Sequence, residues 1–522
     1  MEKRENQSPE RATDYVMNFD PGELCLFGFE GVAPDAALER WIVRERIGGV
    51  ILFGRNIRSR DQTRELCRGL QTIRRSVSDL PLLIAVDQEG GAVARFREGF
   101  TIFPGNLALG MGGGEGTAYR QGRVTGAELR DVGVNLNLAP VLDLRHPDGF
   151  PGAGIRSLGS DPGTVAALGM ALIRGIQDEG VAATAKHFPG KGRAAVDSHL
   201  DLPVIAAPES ELRGRDLPPF AAACSAPVAA VMTSHAVYPA LDPGGFPGTL
   251  SRRLLTDLLR ADLGYRGVVI TDDLGMGAIR KRMSAGEAAV GALKAGADLI
   301  LVCHSPGERE EAFAHLAQAV SSEGPAAARG EESSARLRAL RERLKCVRSP
   351  RAGAGVDGKG LSEEIARRAI AILRNRRRLI PLSSSRPLVL LWFQAVEAED
   401  RRASSWELAP YLSERGFSVR TLRFPGDPSP GEIGGVLESI RWEERPVAAS
   451  FDAFRDPGQT AFLRAVFARR PDSVLIPLKD PRDAELFPEA DTVLTAYSFV
   501  PASLKALAET LSGSFRPPYQ DK

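Results

Sequence analysis

Eight short apolar runs of strand-like composition recur through the first 300 residues of this 522-residue chain: CLFGF (25–29), GVILF (49–53), LLIAVD (82–87), VNLNLAPVLDL (134–144), AATAKHF (182–188), VAAVMTSH (228–235), GVVITDD (267–273) and ADLILV (297–302). Most are separated by stretches of helical periodicity, such as TRELCRGLQTIRRSV after the second and GEAAVGALKAG after the seventh. Strands alternating with helices in this way read as βα units around a parallel sheet. The simplest closed solution is an α/β fold built on a (β/α)8 TIM-type barrel, with a doubly wound open sheet as the alternative. Charged and polar side chains cluster where these runs end: Asp87, Lys186 with His187, His235, and Asp272 with Asp273. In a barrel the strand carboxyl ends open on one face, so residues far apart in sequence converge there. Capping of the next helix accounts for any one of them but poorly for all together.

After the eighth run come SSEGPAAARGEESSA (321–335) and RSPRAGAGVDGKG (348–360), rich in Gly, Pro, Ser and charge. This composition reads as a linker with the short helix RLRALRERLK inside it. Beyond it LSEEIARRAIAIL reads as helical and PLVLLWF as a strand, with further alternation to TVLTAYSF and a closing helix PASLKALAETL. The expected organisation is a catalytic barrel over 1–320, a linker over 321–360 and a smaller α/β sandwich domain over 361–522. The cationic RNRRR (374–378) has no interleaved aromatics and reads as a solvated helix end rather than an anionic-polymer contact. The Gly-rich GMGGGEG (110–116) lacks both phosphate-loop spacings and reads as a flexible turn.

Lys plus Arg number 67 and Asp plus Glu 66, so the formal charge of +1 supplies no global field for nucleic acid or a membrane surface. Any partner must be recognised locally. The five cysteines (Cys25, Cys67, Cys224, Cys303, Cys346) are scattered and lack metal-ligand spacing, which favours buried thiols in a reducing compartment. The first fifteen residues are charged throughout and no apolar run approaches the roughly 20 residues of a membrane span. A cytoplasmic protein is the expectation.

The stretch KHFPGKGRAAVDSH (186–199) holds two of the six histidines. Lys186 and His187 finish a strand; Pro189, Gly190 and Gly192 make a loop; Asp197 and His199 lie two apart, on one side if locally extended. A carboxylate beside an imidazole fixes its tautomer and favours the imidazolium, so such a His can give a proton and take one back. Alone, an Asp-x-His pair on a loop is more often a surface hydrogen bond than a catalytic dyad.

Its company is more specific. KHFPGKG followed by DSH, with DQEGG (87–91) and FPGNLALG (103–110) upstream, NLAPVLDL (137–144), and ITDDLGM (270–276) downstream, resembles the glycoside hydrolase family 3 β-N-acetylglucosaminidases of the peptidoglycan-recycling type. The resemblance covers roughly residues 20–310, and RRAIAILRN with the later YSF and PASLKALAE resembles the sandwich domain of two-domain members. It implies that Asp272 is the nucleophile of a covalent glycosyl intermediate, with Asp273 a structural neighbour, and that His199 is the general acid and base, paired with Asp197. It also implies that Asp87, Arg95, Arg156, Lys186 and His187 hold substrate hydroxyls, and that no metal or organic cofactor is used. The implied partner is a carbohydrate, a β-GlcNAc glycoside such as a muropeptide fragment.

The chain departs from the family pattern in places. Ala92 follows DQEGG where many members have Arg; Lys191 stands where many have His; Ile155 precedes Arg156 where many have an acidic or polar residue. An imidazole acid/base leaves no second anion facing an incoming nucleophile, so phosphorolysis, with phosphate as co-substrate, stands beside hydrolysis. A β-glucosidase or β-xylosidase of the same family is a further alternative, although those lack an Asp-x-His pair in this loop. A silent sugar-binding scaffold is the non-enzymatic alternative, and Asp272 and His199, whose loss would mark it, are both present. His235 could line a pocket or be structural.

Overall fold

The computed structural model describes residues 18–147, 149, 153–346, 356–393, 406–424 and 430–517. Eight parallel strands form the first sheet: β1 (Cys25–Gly28), β2 (Gly49–Leu52), β3 (Leu83–Val86), β4 (Leu136–Asn137), β5 (Ala182–Phe188), β6 (Ala230–Thr233), β7 (Val268–Ile270) and β8 (Ile300–Val302). Their order is β8-β1-β2-β3-β4-β5-β6-β7, and an Ile270–Leu299 bridge brings the two ends together, giving a nearly closed TIM-like barrel. The strands are buried along their whole length, which is why they read as continuous apolar runs rather than alternating ones.

The intervening helices start at side-chain caps. Asp35 accepts from Leu38 N at 2.8 Å, Asp161 from Thr164 N at 2.7 Å, and Ser284 with Glu287 closes a reciprocal capping box before Ala285–Ala295. Each cap satisfies a backbone donor that the first helical turn leaves unpaired. In Arg60–Arg75 the residues Thr63, Leu66, Cys67, Leu70 and Arg74 turn inward, the spacing of one helical face. All five cysteines are free; Cys25, Cys67 and Cys303 are buried, and burial pushes the Cys67 thiol up to about 12.

Helix Pro325–Lys345 occupies most of the stretch whose composition suggests a linker. Its buried Ala326, Ala327, Ser333, Ser334, Leu337 and Leu340 show how small residues on one face let it lie against the barrel. Residues 347–355 lie outside the described residues.

The second sheet has six strands: β9 (Ala371–Asn375), β10 (Leu388–Phe393), β11 (Val419–Phe424), β12 (Arg445–Ser450), β13 (Val474–Pro477) and β14 (Thr492–Thr495). Their order is β9-β14-β13-β12-β10-β11, with β9 antiparallel to β14 and the other pairs parallel. Three sequence expectations are corrected here. The helix in LSEEIARRAIAIL ends at Ala369, and the apolar residues after it pair with Thr492–Thr495 as β9. RNRRR therefore closes a strand, not a helix: Arg374 donates to the carbonyls of Phe487 and Ala490, while Arg377 donates to Asp491 at 2.7 Å. GMGGGEG is likewise not one turn, because Gly110 to Gly112 complete helix Asn106–Gly112 and Glu115 opens the next helix.

The two sheets are not separate bodies on a string. Leu107, Ala108 and Ile155 of the barrel are buried in the second core, with Ala92 packed against it. Asp480, after β13, accepts from Arg145 of the barrel at 3.1 Å, and Arg482 donates to the carbonyls of Pro147 and Gly149. No helix among the described residues is long and apolar enough to cross a membrane.

Candidate active site

A cavity of about 240 Å³ opens at the carboxyl ends of the barrel strands. Asp87, Arg95, Arg156, Lys186, His187, His199 and Asp272 all line it, so seven of the eight candidate residues are brought together from five different strand ends and loops. Asp197 stands behind His199. A larger groove of about 690 Å³ lies at the opposite end, where Tyr265, Arg266 and Gly267 lead into β7. We place the chemistry in the smaller cavity, where buried charged groups converge.

One wall is a charged network. Asp87 follows β3, and its carboxylate accepts from Lys186 Nζ at 2.8 Å, with Arg95 Nη2 at 3.7 Å. Glu89, two residues on, accepts Arg156 in a bidentate fork at 2.9 and 2.8 Å and takes Lys186 Nζ at 2.7 Å. Burial alone would raise Glu89's affinity for a proton, but Arg156 and Lys186 outweigh it and hold the carboxyl well below the usual carboxylate range. Burial likewise disfavours charge on Lys186, and Asp87 with Glu89 more than offset it. Every charge in this wall is matched, as buried ions require.

A second wall carries His187. Its Nδ1 lies 2.7 Å from Asp143 Oδ2, while Asp143 Oδ1 accepts the backbone N–H of His187 at 3.2 Å and of Lys191 at 2.8 Å. A carboxylate that takes two backbone donors on one oxygen accepts from the ring on the other, which assigns the proton to Nδ1 and leaves Nε2 as an acceptor. Burial, reinforced by the Lys191 ammonium, pushes the His187 pKa well below its ordinary value and keeps the ring neutral. The Lys186–His187 and Phe188–Pro189 peptide bonds are cis.

Asp272 stands two residues past β7. Its Oδ1 accepts the backbone N–H of Asp273 at 2.9 Å; its Oδ2 faces His187 Nε2 at 4.0 Å and Lys191 Nζ at 3.8 Å. Burial opposes ionisation, but the Lys191 ammonium, the largest favourable influence, overcomes it and holds Asp272 well below the ordinary Asp range. Asp273 is tied into the backbone: Oδ1 accepts from Gly275 N and Cys303 N, each at 3.0 Å, linking β7 to β8. His235 is structural too, with Nδ1 2.7 Å from Thr249 Oγ1 and Nε2 2.9 Å from the Asp273 carbonyl. Both its nitrogens are engaged, and it braces the backbone beside Asp272.

His199 sits at the mouth, its side chain 65% exposed. Asp197 Oδ1 accepts both the His199 backbone N–H at 2.9 Å and Nδ1 at 2.8 Å. That hydrogen bond raises the His199 pKa above its ordinary value. Burial would raise the Asp197 pKa, yet the bond to His199 outweighs it and lowers the carboxyl to about 2. The loop is pinned at its far end, because Ala278 N donates to Ser198 O and Gly277 N to His199 O, both at 3.1 Å. A side chain at Gly277 would put its Cβ 2.6 Å from the His199 carbonyl, so only glycine allows this approach.

Sequence reasoning overlooked Glu89 and Asp143 and left Lys191 without a role. Glu89 lies inside DQEGG, and Asp143 is the one charge in the apolar run VNLNLAPVLDL; an ionisable group in a run otherwise fit for burial was the available sign.

Carboxylates, arginines, lysines and a loop imidazole gather at the strand ends of this barrel around one small cavity, the layout of an enzyme active site. The model of the glycosyl hydrolase family 3 N-terminal domain matches residues 21–340. A family 3 β-N-acetylglucosaminidase from Paenibacillus sp. superposes with a TM-score of 0.88 at 36% identity, covering 95% of this chain and 97% of that one. A beta-hexosaminidase of Pseudomonas aeruginosa is 41% identical over 282 residues, 54% of this chain and 82% of that protein. One from Alkalilimnicola ehrlichii is 38% identical over 297 residues, 56% of this chain and 83% of that protein. The chain belongs to glycoside hydrolase family 3.

Proposed function

We propose that this glycoside hydrolase is a retaining β-N-acetylglucosaminidase that removes terminal β-GlcNAc from peptidoglycan-derived or related glycosides. The observation that carries the reading is the shared cavity of Asp272, held ionised, and His199, whose pKa the bond to Asp197 raises. In the first half-reaction an Asp272 oxygen bonds to C1 while the glycosidic C1–O bond breaks, and the leaving oxygen takes the proton from His199 Nε2. In the second, water gives a proton to His199, its oxygen bonds to C1, and the ester electron pair returns to Asp272. The usual retaining arrangement has two carboxylates on either side of the bond; here the imidazole replaces the acidic one. Asp87, Lys186, Arg95 and Arg156 supply charge-assisted contacts for ring hydroxyls and the neutral His187 ring a further hydrogen bond; the contact to the Asp87 carboxylate strengthens as positive charge develops on the ring. At about 240 Å³ the cavity falls below the roughly 300–1,000 Å³ of pockets for drug-sized ligands, which favours a single terminal sugar over an internal one. The similarity to N-acetylglucosamine-specific relatives supports this sugar.

The test compares aryl β-glycosides of GlcNAc, glucose and xylose. GlcNAc turnover should dominate and should fall about 10⁴-fold in Asp272→Ala, a loss of the scale expected when a covalent route is removed. Equal or better glucoside turnover, or an undiminished Asp272→Ala, contradicts the reading. The imidazole at the mouth also favours one second reading, phosphorolysis, since an incoming phosphate meets no opposing carboxylate there. Sugar 1-phosphate in phosphate buffer would establish it; free GlcNAc alone, with no phosphate dependence, rules it out.

A further inference from the structure

We infer that Lys191 governs the second half-reaction: its ammonium speeds the departure of Asp272 from the glycosyl-enzyme. The inference rests on the retaining reading above. Lys191 Nζ is 3.8 Å from Asp272 Oδ2, and its side chain is only 13% exposed. The backbone holds it there. Lys191 N donates to Asp143 Oδ1 at 2.8 Å, and Gly192 lies so close to the barrel that an added Cβ would fall 1.8 Å from Leu144 O. The loop is thus fixed on both sides of the lysine, and among the described residues the only carboxylate its Nζ meets as an ion pair is the one that must leave C1.

The charge acts unequally on the two steps. Before reaction Lys191 faces a full carboxylate, and the pairing dampens the nucleophilicity of Asp272. In the glycosyl-enzyme that negative charge has been consumed by the bond to C1, and Lys191 faces a neutral ester. As the ester C–O bond breaks and its electron pair returns to Asp272, charge reappears beside a cation already in place. A prepositioned cation at the point where charge develops lowers the barrier to its development. His187 cannot substitute, since its buried ring is neutral and its Nδ1 proton is engaged by Asp143. Lys186 and Arg156 are committed to Glu89 on the other wall. Lys191 acts through Asp272 and is a positioning residue for charge, not a group that contacts the reacting carbon.

The test is pre-steady-state turnover of an activated aryl β-GlcNAc by the full chain, with intact-mass detection of the glycosyl adduct. Lys191→Met should show a burst of aryl release approaching one per enzyme and a glycosyl adduct whose breakdown is about tenfold slower than in the native enzyme. Lys191→Arg, which keeps the cation, should return breakdown toward the native rate, an effect that a merely structural role would not produce. Equal adduct lifetimes in the native and Met proteins overturn the assignment while leaving the retaining reading intact. Failure to trap any adduct on the native and substituted proteins alike overturns the retaining reading and the inference with it.

Discussion

Asp197 acts on His199 through a ring contact of 2.8 Å, and that contact favours the charged imidazole. The bond raises the His199 pKa, so the protonated form needed for leaving-group departure persists to higher pH. Asp197→Asn keeps the shape and removes the charge; the His199 pKa falls, and the alkaline limb of kcat/KM moves to lower pH. Activity at neutral pH should drop about ten- to a hundredfold on a substrate with a poor leaving group and less on an activated aryl glycoside. A pH profile measured on both substrates checks this, and an unmoved limb would assign the proton to another group. Asp197 and His199 were legible in the sequence because they are two residues apart. Glu89 and Asp143 were not, because their partners Arg156 and His187 are 67 and 44 residues away and meet them only when the strands assemble.

At the scale of elements, the proposed acid is positioned by backbone as well as by Asp197. The loop carrying His199 rests on the chain just after Asp272, through Gly277 N to His199 O and Ala278 N to Ser198 O. The βα segment that carries Asp272 therefore sets the height of His199 above it. Gly277→Val puts a branched side chain against the His199 and Leu200 carbonyls, each 2.6 Å from the position of the new Cβ, and must push the loop outward. A misplacement of this size costs on the order of a hundredfold in rate. The expected result is a large loss of kcat with a native circular dichroism spectrum, and full activity in this variant would mean the loop is not held this way. The strands and their charged ends were readable because burial on both faces leaves continuous apolar runs that stop at the active face. The ends of elements were harder. RRAIAILRN changes from helix to strand at Ile370 with no glycine or proline to mark it, and only pairing with Thr492–Thr495 decides the point. The linker composition of 321–335 concealed a helix because serine and glycine on a packed face look like those of a loop.

At the scale of the whole molecule, the second sheet fastens onto the loop between β4 and the helix that begins at Pro162. Asp480 and Arg482 hold Arg145 and the carbonyls of Pro147 and Gly149, and Ile155, beside the cavity residue Arg156, is buried in the second core. Ala92 packs there as well, which gives a physical reason for a small residue directly after DQEGG: a long cation would have to enter an apolar contact. Such a contact is unreadable in sequence, since neither partner carries a motif. The near-neutral total charge gives no long-range steering, so selection of substrate falls to the cavity itself. In the proposed function Asp272 and His199 work from opposite faces of one bond, in two displacements. The anomer formed first reports this directly. Proton NMR of an aryl β-GlcNAc hydrolysed at high enzyme concentration should show β-GlcNAc appearing before mutarotation produces the α form; α-GlcNAc as the first product would contradict the account.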